Sequence, residues 1–133
     1  MLKKILSISG KSGLYKLISQ GRNMLIIESL KDKRRMPAYA DEKILSLGDI
    51  AMYTSEGEVP LNDVMKSIKE KEGGKVIEID LKKADAKILS DYMAEILPNY
   101  DKERVYVSDM KKLFSWYNLL IETGNDNFEN EEK

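Results

Sequence analysis

The sequence contains neither histidine nor cysteine. Histidine is the commonest metal ligand and the usual general base near neutral pH, and cysteine supplies thiol nucleophiles and soft metal sites. Most familiar catalytic and metal-binding patterns therefore cannot be built from this chain. The sequence indicates no metal and no cofactor, and an enzymatic function is the least favoured of the functions considered below.

Long hydrophobic runs are also absent. No uninterrupted apolar stretch exceeds four residues, as at 24–27, whereas a membrane-spanning helix needs about 20. Residues 1–6 resemble the start of a signal peptide, but polar Ser7 interrupts the apolar stretch and no small-residue cleavage site follows. We therefore expect a cytoplasmic protein that does not insert into a membrane.

The chain is rich in charge of both signs, with 34% charged residues and a net charge of −1. Residues 1–54 hold ten Lys or Arg and five Asp or Glu, a net charge of +5, so residues 55–133 carry −6. A difference in sign between two halves is a clue to a charged partner. A solvated basic face without a ligand explains the same pattern.

The first part of the chain, residues 1–56, has the pattern of short strands separated by turns. Glycine-containing turns between apolar segments are typical of hairpins. So few short strands would bury little as a flat sheet, and the pattern therefore predicts a small SH3-like β-barrel. The strands are predicted at 14–19, 24–29, 35–39 and 50–54, and the stretch 43–47 fits either a strand or a helical turn.

The pattern changes after this region to the 3.6-residue repeat of amphipathic helices. Over residues 57–80 we predict a connector helix with Pro60 at its first position, followed by a short strand at 76–79. Over residues 81–124 we predict a helical hairpin. The acidic tail, residues 125–133, is predicted to be disordered because it carries few apolar residues.

The hairpin is predicted to contain helices near 86–97 and 109–123, capped by Asp85 and Ser108. Helical geometry places residue 116 about 100° from residue 117 and about 200° from residue 114, so one narrow seam cannot hold all three. We therefore expect Trp116 to point away from the seam. The predicted seam consists of Leu113, Phe114 and Tyr117 facing Leu89, Met93 and Ile96.

Basic and aromatic residues mark one candidate binding site. Small barrels that bind single-stranded nucleic acid combine cationic loops with aromatic side chains that stack on bases. Basic turns also protect exposed strand edges, and the sequence pI of about 5.6 is low for a dedicated nucleic-acid binder. The candidate residues are Arg22, Lys31, Lys33, Arg34, Arg35, Tyr39 and Tyr53.

Trp116 marks a second candidate, because aromatic residues that the core does not need are favoured as anchors in protein interfaces. The alternative interpretation is that Trp116 packs between the two parts of the chain and holds them together.

The triplet at residues 10–12, Gly-Lys-Ser, invites comparison with a phosphate-binding loop. That motif requires an earlier glycine, and the corresponding position is Ile5. The following segment has the pattern of a strand and provides no helix N-terminus for a phosphate. We therefore interpret residues 10–12 as a turn.

Several segments together resemble a known group of proteins: Lys4 to Gly21, Glu28-Ser29-Leu30, Arg35 to Ala40, Leu47-Gly48-Asp49-Ile50 and Glu103 to Lys112. In these segments the chain resembles a family of short cytoplasmic Bacteroidetes proteins classed as domains of unknown function. The resemblance implies no activity, ligand or catalytic residue.

From the residues we expect an α+β protein whose SH3-like barrel is followed by a connector helix and a helical hairpin. A non-catalytic adaptor that binds a protein partner is the preferred function. Binding of RNA or single-stranded nucleic acid through the basic turns is the alternative. The sequence leaves the oligomeric state open.

Overall fold

The computed structural model describes residues 2–11, 13–39, 42–125 and 128, and it has an α+β fold. The strands are β1 (Ile5–Ile8), β2 (Tyr15–Gly21), β3 (Met24–Ser29), β4 (Arg35–Tyr39), β5 (Ile44–Ser46), β6 (Ala51–Thr54) and β7 (Gly57–Pro60). The helices are α1 (Leu61–Glu72), α2 (Ala86–Ile96) and α3 (Val107–Glu122). None of these described helices is long and apolar enough to cross a membrane.

Five strands form an antiparallel sheet in the order β4-β3-β2-β1-β5. The strands predicted at 14–19, 24–29 and 35–39 are confirmed, and the ambiguous stretch at 43–47 contains β5. The turn between β2 and β3 places Asn23 at φ 63, a conformation that asparagine tolerates better than most residues. Strand β1 is absent from the sequence prediction.

The sheet does not close into a barrel, so the predicted SH3-like barrel is not confirmed. Strands β6 and β7 form a separate two-stranded hairpin, and β4 and β5 remain the outer strands of the described five-stranded sheet. The chain leaves the sheet after β5 through a 3-10 turn, Leu47–Asp49. Leu47 is fully buried in this turn and packs in the core.

The core consists of two clusters, one on each face of β1. Ile5 belongs to the main cluster, which combines residues from the sheet with all three helices, whereas Leu6 and Ile8 belong to a smaller cluster within the five-stranded sheet. Alternate residues of a strand point to opposite faces, which explains this division. Because the main cluster is shared, the predicted subdomains 1–56 and 81–124 are packed on one core.

The predicted seam of the helical hairpin lies inside this main cluster. Its six residues are buried, and Phe114 makes an edge-to-face contact with Tyr92 at 5.0 Å between ring centroids. Asp85 caps α2 as predicted, its Oδ1 accepting a hydrogen bond from the N–H of Ile88 at 2.9 Å. Helix α3 begins at Val107, two residues before its predicted start at 109, so the predicted Ser108 cap is wrong: Ser108 lies inside the helix and Tyr106 is the N-cap residue.

The connector region differs from the prediction at both ends. Pro60 ends β7 and precedes α1 instead of occupying the first helical position, so a predicted boundary after residue 56 falls within the β6–β7 hairpin. No strand forms at 76–79. Asn118 instead accepts a hydrogen bond from the N–H of Ile77 at 2.7 Å, and the Tyr117 hydroxyl donates to the carbonyl of Lys75 at 2.7 Å. Side chains of α3 thus form hydrogen bonds with this backbone in place of a neighbouring strand.

The predicted disordered tail, residues 125–133, lies outside the described residues except at Asn125 and Phe128. At Phe128 the prediction is corrected, because this side chain is 2% exposed and packs 6.3 Å from the ring of Tyr117. The side-chain amide of Asn62 also donates to the carbonyl of Phe128 at 2.7 Å. Phe128 is therefore held by both its ring and its backbone carbonyl.

The burial of Phe114 predicts a large effect of its truncation. Phe114→Ala should lower the free energy of unfolding by about 3 to 5 kcal/mol, as expected for a fully buried phenylalanine, and urea denaturation measures this loss. Tyr106→Ala is the control, because the Tyr106 side chain is exposed and its loss should change stability little. A loss below about 1 kcal/mol for Phe114→Ala would contradict the packing described, since buried aromatic truncations cost more.

The contact between Asn118 and Ile77 predicts a smaller effect. Asn118→Leu leaves the N–H of Ile77 without its acceptor and should cost about 1 to 3 kcal/mol in urea denaturation. Asn118→Asp keeps an accepting oxygen and should cost clearly less. Equal losses for the two variants would show that the amide does not act through this hydrogen bond.

Candidate functional site: a groove along helix α3

The basic residues predicted from the sequence do not form one surface. Lys31, Lys33 and Arg34 lie in the β3–β4 turn and Arg35 begins β4, whereas Arg22 lies in the β2–β3 turn. Tyr39, at the far end of β4, pairs with Met24 next to that second turn. Residues 35 and 39 are separated by about 14 Å at about 3.4 Å per residue. The predicted basic and aromatic site is therefore divided between two ends of the sheet.

The β3–β4 turn has structural reasons for its sequence. The backbone N–H of Arg34 donates to Asp32 Oδ1 at 3.1 Å, and this hydrogen bond lowers the pKa of the Asp32 carboxyl. Across the strands, Arg35 Nε donates to Glu28 Oε1 at 3.0 Å. Lys33 adopts φ 64, in the left-handed region. These features explain the residues of the turn by its structure, and no bound ligand is needed to explain them.

Tyr53 and Trp116, in contrast, are brought to one place. Both border a cavity of about 250 Å³ between the β6–β7 hairpin, β5 and α3. Tyr53 is 39% exposed and Leu45, which also lines the cavity, is 57% exposed. The apolar residues lining this cavity, which we call the apolar cavity, are Leu45, Ile50, Ala51, Met52, Leu61, Val105, Leu113 and Trp116, and Tyr53, Arg104, Asp109 and Lys112 complete the lining.

The segment between α2 and α3 fixes the rim of the apolar cavity. The N–H of Asp101 donates to the carbonyl of Tyr53, and the N–H of Ser55 donates to the carbonyl of Asn99, each at 2.9 Å. This pairing along β6 brings the Arg104 guanidinium to 5.2 Å from the centroid of the Tyr53 ring, within the range of a cation–π interaction. The rim is therefore held by backbone hydrogen bonds as well as by side chains.

Trp116 is half-buried, with one part of its side chain in the core and the other part accessible. Its buried part packs against the main cluster, and its remaining surface borders the apolar cavity. The buried seam residues occupy the adjacent faces of α3, which leaves Trp116 at the edge of the core. Lys112 lies one turn earlier and shares its face, since residues four apart are neighbours on a helix.

A second cavity of about 440 Å³ lies on the other side of Trp116, between α3 and the loop after β1. We call it the polar cavity. Its lining combines lysines, serines and glycines with a few apolar residues: Ser7, Ile8, Ser9, Gly10, Lys11, Gly13, Lys111, Lys112, Ser115, Trp116 and Leu119. Trp116 and Lys112 border both cavities, which together form a groove along α3.

Sequence reasoning missed the basic members of this groove. Lys11 was considered only as part of a phosphate-loop resemblance, and the chain after it continues into β2, so the helix required by that motif is absent there. Lys111 and Lys112 are remote from Lys11 in sequence, and only the fold brings them together. The one local signal in the sequence was the four-residue spacing of Lys112 and Trp116, which places the two side chains on the same face of a helix.

The largest pKa shift among the described residues lies outside the groove. Burial raises the pKa of the Tyr92 phenol, and its hydrogen bond to the Glu72 carboxylate raises it further. This pair joins α1 to α2 and does not line the groove. Within the described ranges, no group of three or more Asp or Glu residues is arranged to hold a metal ion.

Comparison with known proteins places the chain among domains of unknown function. A family model described as domain of unknown function DUF6852 matches residues 50–120, and another, described as DUF5606, matches residues 2–47. A solution NMR structure of a protein from Bacteroides vulgatus, a structural genomics target, is 58% identical, with a TM-score of 0.81. That similarity covers 96% of this chain and 91% of the other. No curated protein matches.

The intermediate burial of Trp116 predicts an intermediate contribution to stability. Trp116→Ala should cost about 1 to 2 kcal/mol, less than a fully buried aromatic residue, in urea denaturation followed by circular dichroism. Trp116→Phe keeps much of the packed surface and should cost less. A loss for Trp116→Ala as large as that for Phe114→Ala would identify Trp116 as a core residue and remove it as an interface candidate.

Proposed function

We propose that this chain, which belongs to the family of domain of unknown function DUF6852, is a non-catalytic, cytoplasmic binding module that recognises a protein partner. The apolar cavity beside Trp116 carries this proposal. A large apolar side chain of the partner inserts into the cavity, and Tyr53, Arg104 and Trp116 surround it.

The size and composition of the apolar cavity support this role. Sites for drug-sized ligands occupy about 300 to 1,000 Å³, whereas this cavity has about 250 Å³, which suits a single large side chain. Tryptophan, tyrosine and arginine dominate the residues that contribute most to protein interfaces. All three types occur on the walls and rim of this one cavity.

Nucleic-acid binding, the alternative from the sequence, has weaker support. Binding of single strands uses a continuous cationic groove with successive aromatic side chains for the bases. The basic turns lie at opposite ends of the sheet, and Tyr39 and Tyr53 belong to different sheets and line different cavities. We therefore retain nucleic acid as an outcome of the experiment and not as a second proposal.

Selection from a library of random peptides displayed on phage tests the proposal with the full chain. Enriched peptides should share a large apolar residue. The most enriched peptide should bind Trp116→Ala at least about tenfold more weakly, because interface anchors contribute strongly to affinity. Tyr39→Ala is the control, because it removes an exposed aromatic residue that does not line the apolar cavity.

A second variant separates binding from folding. Leu45→Gln changes an exposed rim residue and should also weaken the peptide while leaving the urea midpoint almost unchanged. If enriched peptides bind Trp116→Ala and Leu45→Gln as tightly as the original chain, the apolar cavity is not the site. If selection yields no peptide and an eight-nucleotide oligouridine binds instead, the nucleic-acid alternative replaces this proposal.

A further inference from the structure

The polar cavity concentrates positive charge in a chain that carries a net charge of −1. Three lysines line it, Lys11 from the loop after β1 and Lys111 and Lys112 from α3, together with the hydroxyls of Ser7, Ser9 and Ser115. No Asp or Glu occurs among the described residues of its lining. Lysine ammonium groups and serine hydroxyls are both hydrogen-bond donors for an oxyanion.

These lysines are available to a ligand. Lys111 and Lys112 are exposed, and neither forms an ion pair with another residue in the described part of the chain. Lys11 has one carboxylate neighbour, Glu42, at a long separation of 3.9 Å between Nζ and Oε1. Arg35, in contrast, is engaged by Glu28 at 3.0 Å.

The polar cavity continues directly from the apolar cavity. Lys112 and Trp116 border both, so a partner whose apolar side chain fills the first cavity places its neighbouring residues against the lysines of the second. Arg104 also lines the apolar cavity, where its guanidinium lies over the Tyr53 ring and forms an ion pair with Asp101 at 3.5 Å. The groove therefore offers an apolar pocket next to a lysine-rich one, and Asp109 is the one acidic residue in the described linings of the two cavities.

We infer that the groove recognises an acidic protein segment: one large apolar side chain enters the apolar cavity, and Asp or Glu carboxylates beside it bind Lys11, Lys111 and Lys112. This inference rests on the proposed function and specifies its partner. A peptide fits better than nucleic acid, because Trp116 is the one aromatic residue in the described lining of the polar cavity, and successive bases need successive stacking partners.

The charges affect the choice of partner more than they affect the affinity for it. Exposed ion pairs are individually weak, but complementary charges accelerate association and exclude partners of the wrong sign. Affinity should therefore depend mainly on the apolar anchor, and selectivity for acidic over basic segments on the lysines. This division allows the inference and the proposed function to be tested separately.

The test uses the most enriched peptide from the selection, and a second peptide in which every Asp and Glu is replaced by Asn and Gln. Enriched sequences should carry an excess of Asp and Glu next to the apolar residue. Peptide binding should weaken about three- to fivefold in the double variant Lys111→Gln/Lys112→Gln, and by a similar factor for the neutral peptide, with weaker binding at high salt. The free chain and each variant are compared by urea denaturation to confirm folding.

Lys82→Gln/Lys83→Gln is the matched control, because it also removes two adjacent exposed lysines but none that line the groove. It should leave peptide binding within about twofold, since distant surface charges are screened by salt. Equal weakening by the two double variants would overturn the inference, because it would show that net charge and not the polar cavity is responsible.

Three other results would also overturn it. Enrichment of neutral or basic peptides that still depend on Trp116 would disprove the acidic partner while leaving the proposed function intact. Displacement of the peptide by oligouridine at equal concentration would show that the polar cavity binds the phosphate groups of a nucleic acid. If no enriched peptide depends on Trp116 at all, the proposed function itself fails, and the inference fails with it.

Discussion

The packing of α3 into the main cluster is the interaction on which the rest of the structure depends. Phe114 and Tyr117 are fully buried there, and the same cluster contains Ile5 from β1 and residues of α1 and α2. Neither the sheet nor the helices could cover this apolar surface alone, and its removal from water is the main favourable term for folding. Two family models meet between residues 47 and 50, yet the core crosses that boundary.

The groove follows from this packing. Because the seam occupies one side of α3, Trp116 and Lys112 remain at the edge, where the helix meets the β6–β7 hairpin on one side and the loop after β1 on the other. Each cavity has one wall from the first part of the chain and one from α3. The binding surface that we propose therefore exists only when both parts are folded together.

Local patterns were sufficient to predict α2, α3, the Asp85 cap and three strands of the sheet, because periodicity and capping depend on neighbours in sequence. Features that depend on distant partners were not predictable. Strand β1 is buried on both faces and lacks alternation, as expected of an interior strand. The segment at 76–79 has the composition of a strand, but the amide of Asn118 provides its hydrogen bonds. Likewise, nothing near Lys11 in sequence indicates that Lys111 and Lys112 lie opposite it.

One shared core implies one unfolding transition, and urea denaturation followed by two probes tests this most directly. Trp116 is the single tryptophan, so its fluorescence reports on α3 and the groove, whereas the methyl NMR signals of Ile27, buried in the smaller cluster, report on the sheet. The account predicts that the two probes give the same midpoint and the same dependence on urea, as for a cooperative domain. Loss of the Trp116 signal at a lower urea concentration than the Ile27 signal would show that the sheet folds independently of α3, and it would contradict the account.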